Sequence, residues 1–149
     1  MAKPAIAYVV AVFATLWVTS IGGGAQVTIW PPQSRVGANE RYTLSVPLAG
    51  PVATESVELE IPATVTVTGI LAPVGYRYRT VREAGRITRI AWTQQIKSGD
   101  PVVFVFYARN PKATEIQWRT HHRFVDGTVN HWVGDSGDSY PAAVVRLVP

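Results

Sequence analysis

No cysteine occurs anywhere in the 149 residues, and the one methionine is Met1. That absence removes structural disulfides, thiolate nucleophiles, zinc–thiolate sites and soft thiolate copper sites together. Any metal held here must use nitrogen or oxygen donors. Charge is also sparse: 16% of residues are ionisable acids and bases, against 47% hydrophobic, which is ordinary globular composition. The formal net charge is only +4, and it includes Lys3. Arg77, Arg79, Arg82, Arg86 and Arg89 are spread through strand-like segments rather than gathered on a helix. Nucleic-acid binders concentrate their basic residues on one face or helix, so no nucleic-acid partner is expected. No Gly-x-Ser-x-Gly turn and no glycine-rich loop opening a helix is present, which leaves no nucleophile elbow and no nucleotide cradle. Nothing in the sequence requires an enzyme.

One uncharged run is present, at the N-terminus. Lys3 precedes Ala5 to Val18, and the small residues Gly23 and Ala25 then satisfy the small-x-small pattern of a leader cleavage site. The run is short for a span of about 20 apolar residues, and Gly22, Gly23 and Gly24, which follow it, disfavour a continuing helix. Residues 1–25 are therefore expected to be a signal peptide, with cleavage after Ala25 making Gln26 the first mature residue. No second apolar segment follows, so no membrane span is expected after cleavage. The mature protein is expected to be exported, to the periplasm or the extracellular space.

From Gln26 onward the pattern is β throughout. Ser56 to Pro62 alternates most cleanly, with Val57, Leu59 and Ile61 on one face and Ser56, Glu58 and Glu60 on the other. Further strands are expected at Gln26–Trp30, Arg41–Pro47, Val65–Ile70, Tyr76–Val81, Ile87–Thr93, Val102–Ala108, Ile116–Val125, Thr128–Val133 and Ala142–Leu147, with Pro, Gly, Asp and Asn between them. Val102 to Tyr107 is apolar on both faces and reads as a central strand. Trp92, Phe104, Phe106 and Trp118 are the expected core aromatics. The predicted fold is all-β: a single antiparallel immunoglobulin-like β-sandwich over residues 26–149, following the N-terminal signal helix.

All three histidines lie between His121 and His131, across an Asp126-Gly127 hairpin signal. A two-residue turn sets His122 opposite His131. A three-residue loop with Gly127 in a bulge sets His121 opposite His131 instead. Either register brings two imidazoles about 5 Å apart at Cβ, close enough to share Cu(II), Zn(II) or Ni(II), although a third donor is usually needed. The alternative is a polar cross-strand surface pair. Asp135 and Asp138 suggest a calcium loop only weakly, since the later bidentate Glu is missing, and a solvated turn is the expected reading.

Several blocks, taken in order, resemble the YcnI-like copper-binding domain family of exported bacterial β-sandwiches. They are Gln26-Val27-Thr28-Ile29-Trp30-Pro31, Gly37 to Thr43, Val46-Pro47, Val57 to Pro62, Gly75-Tyr76, Ile90 to Thr93, Ala108-Arg109-Asn110-Pro111, and Asp126 through Tyr140-Pro141-Ala142. The resemblance implies a Cu(II) site at the mature N-terminus. There the family has a first-residue His whose amine and imidazole chelate the metal, beside a carboxylate and a nearby Trp. It also implies a copper-transport or copper-chaperone protein as partner. This sequence departs at that point. Gln26 stands at the His position, and Leu48-Ala49-Gly50 stands where the carboxylate is expected, while Trp132 is retained and Glu40 is available. Copper binding is thus expected to be weakened, or relocated to His131 with His121 or His122 near Trp132. Gln26 also excludes an N-terminal-histidine copper oxygenase if cleavage follows Ala25. The alternative is a metal-free sandwich that recognises the envelope or a partner protein.

Overall fold

The structure is a computed structural model that describes residues 25–47, 52–94 and 102–149. The expected signal peptide lies outside the described residues except for Ala25, and so do Leu48-Ala49-Gly50. Twelve strands follow one another: β1 (Thr28–Trp30), β2 (Gln33–Arg35), β3 (Asn39–Val46), β4 (Thr54–Glu60), β5 (Thr66–Ile70), β6 (Tyr76–Glu83), β7 (Arg86–Gln94), β8 (Val102–Arg109), β9 (Glu115–Trp118), β10 (Thr120–Phe124), β11 (Val129–Trp132) and β12 (Ala143–Val148). Among the described residues there is no helix, and none is long and apolar enough to cross a membrane.

The strands form three ladders, ordered β1-β3-β8-β5, β11-β10-β4-β7-β6 and β2-β12-β9. The first two face each other across the core. Val57 and Leu59 of β4 and Ile90 and Trp92 of β7 meet Tyr42 and Leu44 of β3 and Phe104 and Phe106 of β8. The four expected core aromatics are all fully buried. Trp92 stacks on Phe104 with centroids 4.7 Å apart, and its indole N–H donates to the Leu71 carbonyl at 2.8 Å, so the ring is buried without leaving its one donor unpaired. The inward residues are those selected by the period of two, because each strand presents alternate side chains to the core.

Three features depart from the sequence reading. The pairing is antiparallel except that β12 runs parallel to β2, a short strand the sequence did not reveal. Val102–Ala108 is interior by pairing, between β3 and β5, yet Val103 is 42% exposed, so only one face of β8 is fully covered. The single strand expected over Ile116–Val125 is two strands in different ladders. β9 pairs with β12 and β10 with β4 and β11. The break falls at Arg119, whose carbonyl accepts from the Glu60 N–H at 2.9 Å and so stays tied to the second ladder as the chain crosses over.

Candidate functional site

The β10–β11 hairpin decides where the histidines go. Phe124 and Thr128 close a three-residue loop, with the Phe124 N–H donating to the Thr128 carbonyl and the Gly127 N–H donating back to Phe124, both at 2.9 Å. Gly127 sits at φ +89°, in the left-handed region that a side chain disfavours. The Asp126 carboxylate fixes the loop by accepting from both the amide and the hydroxyl of Thr128, and those bonds hold its pKa below the usual value. The resulting register is His121 opposite His131 and His122 opposite Asn130. It is the bulged alternative.

His121 and His131 point out of the sheet together. Their Nδ1 atoms are 2.7 Å apart and their rings lie edge to face, with centroids separated by 4.9 Å. At that distance one Nδ1–H donates to the other ring's Nδ1 lone pair. His121 Nε2, on the far side of its ring, lies 3.7 Å from Oε2 of Glu60. Glu60 and Glu58 are both held by Arg89 of the neighbouring strand, through its Nη2 and Nη1 atoms. The shallow cleft lined by Glu58, Glu60, Arg89, His121, Arg123 and His131 has a volume of about 260 Å³. That is below the ~300–1,000 Å³ of sites built for organic ligands, and it suits an ion.

Glu58, Glu60 and Arg89 read in the sequence as outward strand residues and not as part of a site. The alternation Glu58-x-Glu60 places both carboxylates on an outer face, but that face meets the histidines only because β4 pairs with β10 across more than sixty residues of chain. Among the described residues, no three His, Asp or Glu side chains converge tightly enough to form a ready metal cage. Two nitrogens are in place, and the carboxylates stand one shell away.

His122 is turned the other way. It is 2% exposed, with Nε2 2.8 Å from the Thr54 hydroxyl oxygen and its ring against Phe124 at 4.1 Å. Burial pushes its pKa down to about 4, because the charged ring would lose its hydration. His122 is therefore not brought together with His131. The sequence did hold the signal, since in His121-His122-Arg123-Phe124 the apolar Phe124 takes His122 inward and Arg123 takes His121 outward.

Trp132 is also inside, at 5% exposure and edge to face with Tyr140. Among the described residues the exposed tryptophan is Trp30, at 69%, and it lines a second cleft with Gln26, Glu115, Gln117 and Asp135. Trp132 is not among the residues lining that cleft. Gln26 and the histidine pair line separate clefts, so the hairpin does not carry the imidazoles to residue 26. Because no imidazole lines the Gln26 cleft, the donor set there does not fit the terminal His chelate that the family resemblance implies. Glu40 accepts from the Ser34 hydroxyl at 2.6 Å and serves a structural network. Asp138 accepts from the Asp135 amide at 2.7 Å, which makes that segment a capped turn.

No family model matches the chain. The chain is similar to the copper-binding protein CutI of Bacillus subtilis, with 26% identity over 97% of this chain and 73% of that protein. In fold it matches a Nocardia farcinica protein with an immunoglobulin-like fold, at a TM-score of 0.72 and 20% identity, covering 83% of this chain and 99% of the other. A cohesin module from a Clostridium perfringens family 33 glycoside hydrolase matches at a TM-score of 0.56 and 15% identity, over 82% of this chain and 95% of the module. The chain is thus an immunoglobulin-like all-β protein related along nearly its whole length to a copper-binding protein, consistent with the YcnI-like resemblance of its motifs.

Proposed function

We propose that this protein is an exported copper-handling domain, built from residues 26–149 after removal of a signal peptide, that holds Cu(II) between His121 and His131. The observation that carries the reading is the 2.7 Å separation of the two Nδ1 atoms. Two nitrogens bound in adjacent positions of a tetragonal ion, each about 2.0 Å from the metal, lie about 2.8 Å apart, whereas tetrahedral donors lie about 3.3 Å apart. The pair is therefore spaced for Cu(II) more nearly than for Zn(II). In the absence of metal the same spacing is an N–H···N hydrogen bond, so binding requires the bridging proton to move to that ring's outer Nε2 and both rings to turn until their Nδ1 lone pairs converge on the ion. CutI, a copper-binding protein by name, lends the copper assignment support. Open coordination positions facing solvent suit an ion that is passed on, to a copper-transport or copper-chaperone protein, better than one retained for catalysis.

Titration of the naturally processed protein with Cu(II), read by electron paramagnetic resonance, tests this. One tetragonal centre with superhyperfine coupling from two nitrogens is expected, lost in His121→Ala and in His131→Ala. Binding no tighter than that of the double variant would overturn the reading.

A second reading, a metal-free module that binds a partner or the envelope, is favoured by one observation. Among the described residues, edge strand β6 pairs with β7 alone and exposes Arg77, Tyr78, Arg79 and Arg82. Those cations beside a ladder edge suit an acidic, extended segment. The same titration separates the two readings, because this one requires no Cu(II) centre.

A further inference from the structure

We infer that Glu60 is a positioning residue that sets the tautomers of the histidine pair, so that His121 presents an Nδ1 lone pair to the metal. This inference rests on the copper reading of His121 and His131. A hydrogen bond between two Nδ1 atoms has two equivalent forms, because either ring can carry the proton. In one form His121 donates to His131, and in the other His131 donates to His121. Nothing within the pair itself chooses between them.

The choice comes from β4. Oε2 of Glu60 lies 3.7 Å from His121 Nε2, whereas among the described residues no acidic group is paired with the outer nitrogen of His131. A carboxylate beside Nε2 favours the form in which that nitrogen bears hydrogen. His121 Nδ1 is then the acceptor, and His131 Nδ1–H is the donor. Glu60 is itself fixed by two constraints. Its backbone N–H donates to the Arg119 carbonyl at 2.9 Å, and its Oε1 lies 3.5 Å from Nη2 of Arg89. Arg89 also holds Glu58, the residue directly opposite His121 in the β4–β10 register. Arg89 takes Oε1 of each glutamate, and it is Oε2 of Glu60 that faces the imidazole.

At 3.7 Å the carboxylate is beyond hydrogen-bond reach of Nε2, so it acts on the ring N–H through its charge and not as a bonded partner. It is about one-third exposed, which keeps that effect within the range of exposed ion pairs. Among the described residues no carboxylate is paired with His131 in the same way, and His131 is the more readily released of the two ligands.

Two-bond proton–nitrogen correlation spectra of the metal-free protein, at a pH where both rings are neutral, read the tautomers directly. The expected result is Nε2–H on His121 and Nδ1–H on His131. In Glu60→Ala and in Glu60→Gln, which keeps the shape and removes the charge, both rings should show mixed populations. Cu(II) affinity should fall by up to about fivefold in both variants. Finding His121 as the Nδ1–H form, or identical tautomers in wild type and Glu60→Ala, would overturn the inference. Wild-type tautomers as expected but without Cu(II) binding would instead overturn the copper reading and leave the tautomer assignment standing.

Discussion

Tyr42 donates its hydroxyl hydrogen to Oδ1 of Asn110 at 2.6 Å, with both residues buried. Through this bond the Gly37–Thr43 and Ala108–Pro111 blocks, sixty-eight residues apart at the bonded pair, become one structural unit. Asn110 spends its amide hydrogens on the Ser34 hydroxyl and the Arg35 carbonyl, both at 2.8 Å, and its backbone amide on Ala38. It thereby anchors the start of β3 and the short parallel strand β2 to the end of β8. Burial raises the Tyr42 pKa to about 12, so the phenol remains a donor at any physiological pH. Asn110→Ala would strand several buried partners at once, at roughly 1–3 kcal/mol for each group left unsatisfied. A fall of at least about 2 kcal/mol in stability is expected by urea denaturation, with Tyr42→Phe costing less. A loss under about 0.5 kcal/mol for Asn110→Ala would show the network to be dispensable.

His122 makes stability depend on pH. Its folded pKa of about 4 lies below the ordinary value of 6.5, so between these values the unfolded chain binds a proton that the folded chain does not. The stabilisation is complete above pH 6.5, declines as pH falls, and is lost near pH 4. At about 1.4 kcal/mol per pH unit the full span is roughly 3 kcal/mol. His122→Phe should flatten the profile over that window, measured as denaturation midpoint against pH. An unchanged slope would locate the acid sensitivity elsewhere.

Gly127 occupies φ +89° with open space around the position of a Cβ, so a side chain there meets backbone strain and no collision. Gly127→Ala should cost about 1 kcal/mol from conformation alone. Because this loop fixes the register of His121 against His131, the same variant should weaken Cu(II) binding by a few-fold. Calorimetry of the variant checks both effects, and full affinity would mean that the β4 pairing alone holds the register.

The Gln26 cleft can be interrogated through Trp30. In protein beginning at residue 26, Gln26→His places a terminal imidazole beside that exposed ring, and Cu(II) should then quench Trp30 fluorescence with at least about tenfold tighter binding. The variant Gln26→His with Trp30→Phe should bind without that quenching. Quenching that survives Trp30→Phe would place the bound ion nearer another tryptophan.

Much of the fold is legible in residue order because strand burial follows a period of two. Val57, Leu59 and Ile61, and the aromatics Trp92, Phe104, Phe106 and Trp118, declare their face through their neighbours. The hairpin at Asp126-Gly127 is legible for the same local reason. β2 is not, because three residues with one inward serine carry no periodicity and pair only by virtue of the distant β12. Nor is the division of β9 from β10, since both alternate in phase and only their separate partners divide them at Arg119.

The sequence by itself determined that metal chemistry here must use nitrogen or oxygen donors, that the imidazoles cluster on one hairpin, and that Gln26 stands where the family resemblance implies a histidine. Tertiary structure decided which histidine faces which, that His122 and Trp132 are buried, and that Trp30 is exposed. It also brought Glu60 and Arg89 to the imidazole pair. Local alternation fixes which residues share a face of one strand, whereas the neighbours across that face come from pairings between segments far apart in the chain, which no local pattern encodes.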